Sequence, residues 1–189
     1  YTGGTHVVQG TLQLGNGGES GSVQGDIIAD GILDVKRCNS YTLSGNISGE
    51  GQLHHTGSGI TTLEGANSYK GATLVANGVL QAGGANTLSA ASHHIVASET
   101  TLKTQGYDQT VAGLTNGGNV SLTGAAIGSA LTVKGDYSGK NGTLELAAAQ
   151  NSGGQGIADR LVIDGGKVSG STLLKVDGVG KVCWPDGYC

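Results

Sequence analysis

The sequence predicts an all-β chain, a right-handed parallel β-helix (solenoid) of roughly eight coils with a hairpin-type cap at its C-terminal end. Three observations lead there. Glycine occupies 37 of 189 positions, while Pro occurs once and Phe and Met are absent. The apolar residues sit in short alternating runs that end in Gly or Asn. Those runs return at a nearly constant interval.

Composition sets the limits. Aromatic residues are 4% of the chain, too few to fill the thick core of an ordinary domain of this length. So much glycine suggests collagen or disorder, but there is no G-X-Y period, and Val, Ile and Leu are plentiful. A thin core lined by β-branched residues and Ala, with Gly and Asn at corners, accounts for both facts. The right hand belongs to that architecture; nothing in the residue pattern dictates it. The formal charge is −4, charged residues are 13%, and no basic block occurs. Nucleic acid and anionic membrane surfaces are therefore excluded as electrostatic partners. No stretch reaches the ~18 apolar residues of a spanning helix. The chain opens mid-pattern at Tyr1 without a charged and apolar leader, so it reads as a segment whose targeting signals lie outside it.

Helix signals are poor, because Gly interrupts nearly every window at a cost of about 1 kcal/mol each inside a helix. Strand signals recur instead: "GTLQLG" at Gly10, "GILDV" at Gly31, "GQLHHTG" at Gly51, "GVLQAG" at Gly78, "GNVSLTG" at Gly118 and "GTLELAA" at Gly142. The glycine intervals are 21, 20, 27, 40 and 24, and the 40 divides into 22 and 18 around "TTLKTQG" at Thr100. Six intervals over 132 residues average 22, the period of a solenoid with two or three short strands per coil. Coils stacked about 4.8 Å apart pair every strand and make a rod about 40 Å long. "NSYKGATLVANGVLQAG" (Asn67 to Gly83) fits this grammar, with Leu74, Val79 and Leu80 as expected filling. From Tyr69 it repeats Tyr1 to Gly15 with eight identities in fifteen positions, an offset of 68, which reads as the same place three coils on.

Candidate chemistry is sparse. His54-His55 and His93-His94 are adjacent pairs, and neighbouring strand residues point to opposite faces, so neither pair chelates one ion. They are expected to be exposed or to cap side-chain ladders. "GGQGIADRL" (Gly153 to Leu161) approximates a calcium-binding nonapeptide, but its Asp falls one place late and the unit occurs once, so Asp159 and Arg160 are expected to form a local ion pair. "GDYSGKN" (Gly135 to Asn141) has Gly-Lys without the spacing or the following hydroxyl of a phosphate loop. No nucleophile elbow or Ser-His-Asp grouping is discernible. Asp26, Asp30 and Asp34 are the best candidates for the paired carboxylates of a sugar-cleaving β-helix, yet a corner is expected between them. Hydroxyl-rich runs such as "TGSGITT" are expected to form ladders on the solvent face. The expected balance is no enzyme, no cofactor, no metal and no small-molecule substrate.

"TGSGITTLEGANSYKGATLVANGVLQAG" (Thr56 to Gly83) resembles the passenger-associated strand repeat of Gram-negative autotransporters, and Tyr1 to Gly15 resembles the second half of another copy. "DYSGKNGTLELAAAQNSGGQGIADRLVIDGGKVSGSTLLKVDGVG" from Asp136 resembles the pertactin-like C-terminal passenger region, the autochaperone. The match runs through Gly142 to Leu146, Asp159 to Gly166 and Ser169 to Val176. The resemblance implies folding and cap roles for Gly142, Leu144, Asp159, Leu161, Val162, Asp164, Gly165, Gly166 and Leu173. It implies three regions: a strand-repeat stem over 1–85, C-terminal coils with an autochaperone-like cap over 86–182, and a Cys-flanked tail over 183–189. It further implies a passenger segment exported across the outer membrane to the cell surface or beyond, whose C-terminal coils fold first, with its own outer-membrane translocator barrel as partner. Adhesion to host cells or matrix, self-association, and a released host-receptor ligand stand as alternative roles. After Gly180 the tail "KVCWPDGYC" departs from the family pattern.

Cys38 and Cys183 are 145 residues apart, roughly 30 Å along a straight stack, whereas a disulfide needs Cα atoms within about 7 Å. Cys183 with Cys189 around "WPDGY" is the expected bridge, and free thiols or contacts between copies are the alternative.

Overall fold

Alternation at period two gives each short run one apolar face, and a strand of three or four residues satisfies its backbone only by pairing with the coils above and below. The computed structural model describes residues 2–150 and 152–179 and contains no helix among them. Coil 1 carries β1 (Thr5–Val7) and β2 (Thr11–Leu14), and coil 2 carries β3 (Ile27–Ala29), β4 (Ile32–Val35) and β5 (Ser40–Leu43). Coil 3 carries β6 (Ile47–Ser48), β7 (Gln52–His55) and β8 (Ile60–Leu63), followed in coil 4 by β9 (Thr73–Val75) and β10 (Val79–Ala82). Coil 5 has β11 (His93–Val96) and β12 (Thr101–Gln105); coil 6 has β13 (Gln109–Val111), β14 (Gly113–Asn116) and β15 (Asn119–Gly124). Coil 7 has β16 (Ala130–Val133) and the long β17 (Tyr137–Gln150), which returns through β18 (Gly156–Ala158). Coil 8 has β19 (Arg160–Ile163) and β20 (Val168–Val179).

Among the described residues, pairing between coils is parallel and the β17–β18 hairpin alone is antiparallel. The strands line three faces. Face I is β2-β4-β7-β9-β11-β14-β17-β20, face II runs from β5 through β8, β10, β12 and β15 to the second half of β17, and face III holds β1-β3-β6 and β13-β16-β19. Eight strands on face I give seven turns, a stack about 34 Å long. The parallel β-helix expected from the sequence is therefore present.

Register fixes the interior. On face I, Leu12, Leu33, Leu53, Thr73, His94, Leu114 and Tyr137 follow one another in one inward column. Leu14, Val35, His55, Val75, Val96 and Asn116 form the next. Leu43, Leu63 and Ala82 line face II, and Leu131 and Val133 line face III, in one continuous apolar cluster.

Two expectations change here. Leu12 reaches Thr73 through three coils and 61 residues, not 68. Thr5–Val7 therefore lies on face III and its echo Thr73–Val75 on face I, so the two similar segments occupy different places in the cross-section. The 27-residue glycine interval has the same cause: Gly51 begins a face I strand, whereas Gly78 begins a face II strand. The second change concerns the filling. Leu80 is buried as expected, but Leu74 and Val79 point outward and are half-buried, while Thr73, Val75 and Ala82 face the core.

The corners explain the glycine. A Cβ on Gly51 would run into the carbonyl oxygen of Gly31, and one on Gly71 into that of Gly51. Many corner glycines are thus required by the closeness of the next coil rather than by a positive φ. Asx side chains tie the adjoining corner together. The Asn46 N–H donates to Asp26 Oδ1 (2.8 Å), the Ala66 N–H to Asn46 Oδ1 (2.8 Å), and the Ile47 N–H to Asn67 Oδ1 (2.8 Å). Asn67 Nδ2 passes the link to the Thr87 carbonyl at 2.7 Å.

Gly51→Ala should destabilise the rod by about 2 kcal/mol or more, because the obstructing atom is backbone that cannot rotate away. Gly18→Ala, which meets nothing within 4 Å, should stay within about 0.5 kcal/mol of the parent. Guanidinium unfolding of the two variants measures the difference.

Candidate functional site

The expected chemistry resolves into three environments along the rod. In the first, the His pairs split across the sheet. His54 faces outward, its Nε2 2.9 Å from Gln52 Oε1, and His93 faces outward toward Thr115 Oγ1 at 2.9 Å. His55 and His94 are buried in the interior columns, contrary to the expectation of exposed or ladder-capping rings. Each is held as the Nδ1–H tautomer by a carbonyl, Asn77 at 2.7 Å for His55 and Ser92 at 3.0 Å for His94. Burial depresses both pKa values, that of His94 to about 4. A hydroxyl cluster lies beside His94: Tyr69 OH meets Thr73 Oγ1 at 2.6 Å, and Thr73 Oγ1 meets Ser92 Oγ at 2.7 Å. Burial pushes the Tyr69 phenol well above its ordinary range. No group of three or more His, Cys, Asp or Glu side chains among the described residues is arranged to hold a metal ion.

The three aspartates form the second environment, and each serves a different part of the frame. Asp26 belongs to the Asx corner. Asp30, at the far end of β3, accepts from the Glu50 N–H at 3.1 Å and meets His6 Nε2 at 2.7 Å; the His6 contact holds its pKa down. Asp34 is buried on the outer side of β4 and accepts both ways from Thr56 Oγ1, at 2.8 and 2.9 Å. The carboxylates are not gathered as a pair across one cleft.

The third environment is the C-terminal clasp. Asp159 is buried, and its carboxylate accepts from the Gly128 N–H (2.9 Å), the Ser129 N–H (3.1 Å), the Ser129 hydroxyl (3.0 Å) and the Ala147 N–H (2.8 Å). The expected pairing with Arg160 is thereby replaced: the side chain fastens the β17–β18 hairpin to the preceding coil. A carboxylate accepting several backbone N–H groups suits such a buried junction. The segment likened to a calcium loop is the tip and return strand of that hairpin.

The other residues singled out by resemblance sit around the clasp. Leu144 is buried, Leu161 packs half-buried on the core, and Val162 is exposed. Gly142 lies against the Asn116 side chain, Gly165 adopts φ +91°, and Gly166 stacks on the Gly135 carbonyl. Asp164 bonds Lys134 Nζ at 2.5 Å, which lowers its pKa. Leu173 is 68% exposed on β20, beside exposed Val168, Leu174 and Val176. Among the described residues, Val168, Leu174 and Val176 stack on the inward Tyr137, Leu144 and Leu146 and are themselves exposed.

One fastening was missed in the sequence. Arg37 stacks over the Tyr41 ring at 4.5 Å and donates to the carbonyls of Gly21 (2.7 Å) and Glu19, while the Tyr41 hydroxyl receives the Val23 N–H at 3.1 Å. The two side chains pin the 15–25 loop where coil 1 lacks a face II strand. An Arg and a Tyr four residues apart, about one coil after the Gly-rich run, are the sequence signal. Neighbouring Cys38 is an exposed thiol, and the expected Cys183–Cys189 bridge lies outside the described residues.

Comparison with known proteins places these features in a family context. The model for Autochaperone Domain Type 1 matches residues 110–184, and that for the Passenger-associated-transport-repeat matches 1–14 and 53–82. The uncharacterized protein YuaQ of Escherichia coli (strain K12) is 32% identical over 150 residues, covering 79% of this chain and 11% of its own length. Adhesin BmaC autotransporter of Brucella suis biovar 1 (strain 1330) is 32% identical over 200 residues, covering 93% of this chain and 6% of its own. The chain thus spans about a tenth or less of the curated relatives it matches. No solved structure matches it.

Asp159 lies inside the region matched by the first model, and its four contacts give it a measurable weight. Asp159→Ala strands three backbone N–H groups and should cost about 3 kcal/mol or more. Arg160→Ala should change stability by less than about 0.5 kcal/mol. Chemical denaturation of both variants checks the contrast.

Proposed function

This chain belongs to the autotransporter passengers, as a segment of β-helical stem exported to the cell surface or the extracellular space, and from that premise we propose that its last coils nucleate passenger folding during secretion. The observation that carries the reading is the continuous pairing of β17 with β20. Twelve residue pairs run across the corner between faces I and II without a break in the ladder other than one bulge at Asn141. Elsewhere that corner separates two short strands. This largest uninterrupted ladder is clasped to coil 7 by Asp159 and flanked by an interior of Leu114, Val120, Leu122, Leu131, Val133 and Leu144. A solenoid grows by adding each coil to the one already formed, so the most cohesive terminal coils are the natural template. The same region is the one matched by the autochaperone model. The partner implied is an outer-membrane translocator barrel of the same protein.

A second role rests on the outward faces. On face II, Thr42, Thr62, Gln81, Lys103, Ser121 and Glu145 stand in one column, joined by Gln81 Nε2 to Thr62 Oγ1 at 2.8 Å. Such a flat, largely uncharged ladder suits multivalent contact with host surfaces, matrix or identical rods. One relative carries the word adhesin in its name. The role is structural and adhesive rather than catalytic.

Pulsed hydrogen labelling during refolding from guanidinium is the test of nucleation. Amides of 111–176 should gain protection before those of 5–63, and Asp159→Ala should slow refolding several-fold with less effect on unfolding. Protection gained first in the N-terminal coils, or failure of the chain to refold cooperatively, would refute it. For adhesion, labelled chain that neither self-associates nor binds cells or matrix would remove the second role.

A further inference from the structure

The inward column that holds His94 has Leu12, Leu33 and Leu53 before and Leu114 and Tyr137 after, with Thr73 and His94 as the polar pair in its middle. The adjacent column carries His55 between Val35 and Val75. Both rings lie on face I, two coils apart, in the middle of the rod. We propose that coils 3 to 5 form an acid-operated joint, in which proton uptake by His55 and His94 opens these coils while the C-terminal coils stay closed.

At His94 the geometry offers an added proton no partner. Nδ1–H of His94 is committed to the Ser92 carbonyl, and Nε2 has no hydrogen-bond partner in a fully buried site. A cation created there is neither solvated nor paired. The groups around it are Thr73 from β9, Leu114 from β14 and the Tyr69 hydroxyl bound to Thr73. His93, on the opposite side of the same strand, only repels a second charge. Around His55 stand Val35 from β4, Val75 from β9 and the Asn77 carbonyl. The nearest carboxylate, Asp34, faces the other side of its strand and is bound to Thr56; its attraction is smaller than the cost of burial. No carboxylate points into these three coils among the described residues.

The sign follows from the two states. An open coil takes up protons at its histidines near the ordinary value of about 6.5. Burial holds the closed His94 ring down to about 4 and lowers that of His55 as well. The closed form is fully favoured above about 6.5 and loses ground as pH falls through this window. For His94 alone, the open population at pH 5 rises about twentyfold over that at pH 7, and His55 acts in the same direction. The effect stays local because each coil touches only its neighbours. The Asp30 and Asp164 carboxyls are held below their ordinary values by His6 and Lys134, so their own protonation belongs to stronger acid.

Hydrogen exchange with mass spectrometry on the whole chain, expressed as protection factors at pH 7.5 and pH 5.0, reads the joint directly. Protection of residues 52–96 should fall thirtyfold or more at pH 5.0, with residues 114–146 changing less than threefold. The double variant His55→Val and His94→Leu should remove the acid effect. Its circular dichroism and its protection at pH 7.5 show whether it is folded. Equal protection of 52–96 at both pH values, or acid loosening retained in the folded double variant, overturns the proposal. Imidazole 13C shifts of the parent give a reading that needs no variant. The His55 and His94 rings should remain neutral in the closed rod until exchange shows the coils open, whereas charge gained by either of them near 6.5 in an intact rod would equally overturn it.

Discussion

Closing a coil after about twenty residues, at a height of about 4.8 Å above the last, is the constraint on which this molecule rests. Columns such as Leu12, Leu33, Leu53 and Thr73 exist only because each coil returns to the same register. A slip of one residue would turn every inward side chain outward. The corners keep that register in two ways. Gly31, Gly51 and Gly71 let successive backbones approach where a Cβ would collide, and Asp26, Asn46 and Asn67 hand hydrogen bonds from coil to coil. Composition that looks featureless in a linear reading is thus the direct expression of a narrow cross-section.

The interior is uneven along its length, and that unevenness orders the molecule's behaviour. Coils 6 to 8 hold an apolar interior, a long unbroken ladder and a buried carboxylate with four donors. Coils 3 to 5 hold two inward histidines and a chain of buried hydroxyls. In a one-dimensional stack, such differences become differences between neighbouring segments rather than one global stability. A cohesive C-terminal part beside a more polar middle suits the C-terminal nucleation proposed above. Val168, Leu174 and Val176 of the last coil continue the inward positions of Tyr137, Leu144 and Leu146, while Leu173 stacks outward on Thr143.

The repeat period and the strand type were legible in the sequence, because period-two alternation and recurrent glycine follow directly from pleat and corner. The corner expected among Asp26, Asp30 and Asp34 falls between Asp30 and Asp34, at Gly31, whereas Asp26 and Asp30 lie at opposite ends of β3. The C-terminal segment was recognisable through its residues from Gly142 to Val176, and the family model covers the same stretch.

What the sequence determined by itself was the kind of object: a thin, stacked β-rod with little charge and few aromatic residues. What only the tertiary structure decided was phase, meaning which face a strand occupies and which side of it is inside. Similar words such as "GTLQLG" and "GVLQAG" fall on faces I and II because a coil of about twenty residues turns through three faces, and a strand on either could follow the same glycine. Within "THV" and "TLV" nothing local states that Thr73 rather than Leu74 turns inward; the pairing with Leu53 and His94 does. Asp159 and Arg160 are equally polar neighbours along the chain. Only the return of the hairpin over Gly128, Ser129 and Ala147 makes one a buried clasp and leaves the other in solvent, because a carboxylate accepts the N–H groups gathered there and a guanidinium cannot.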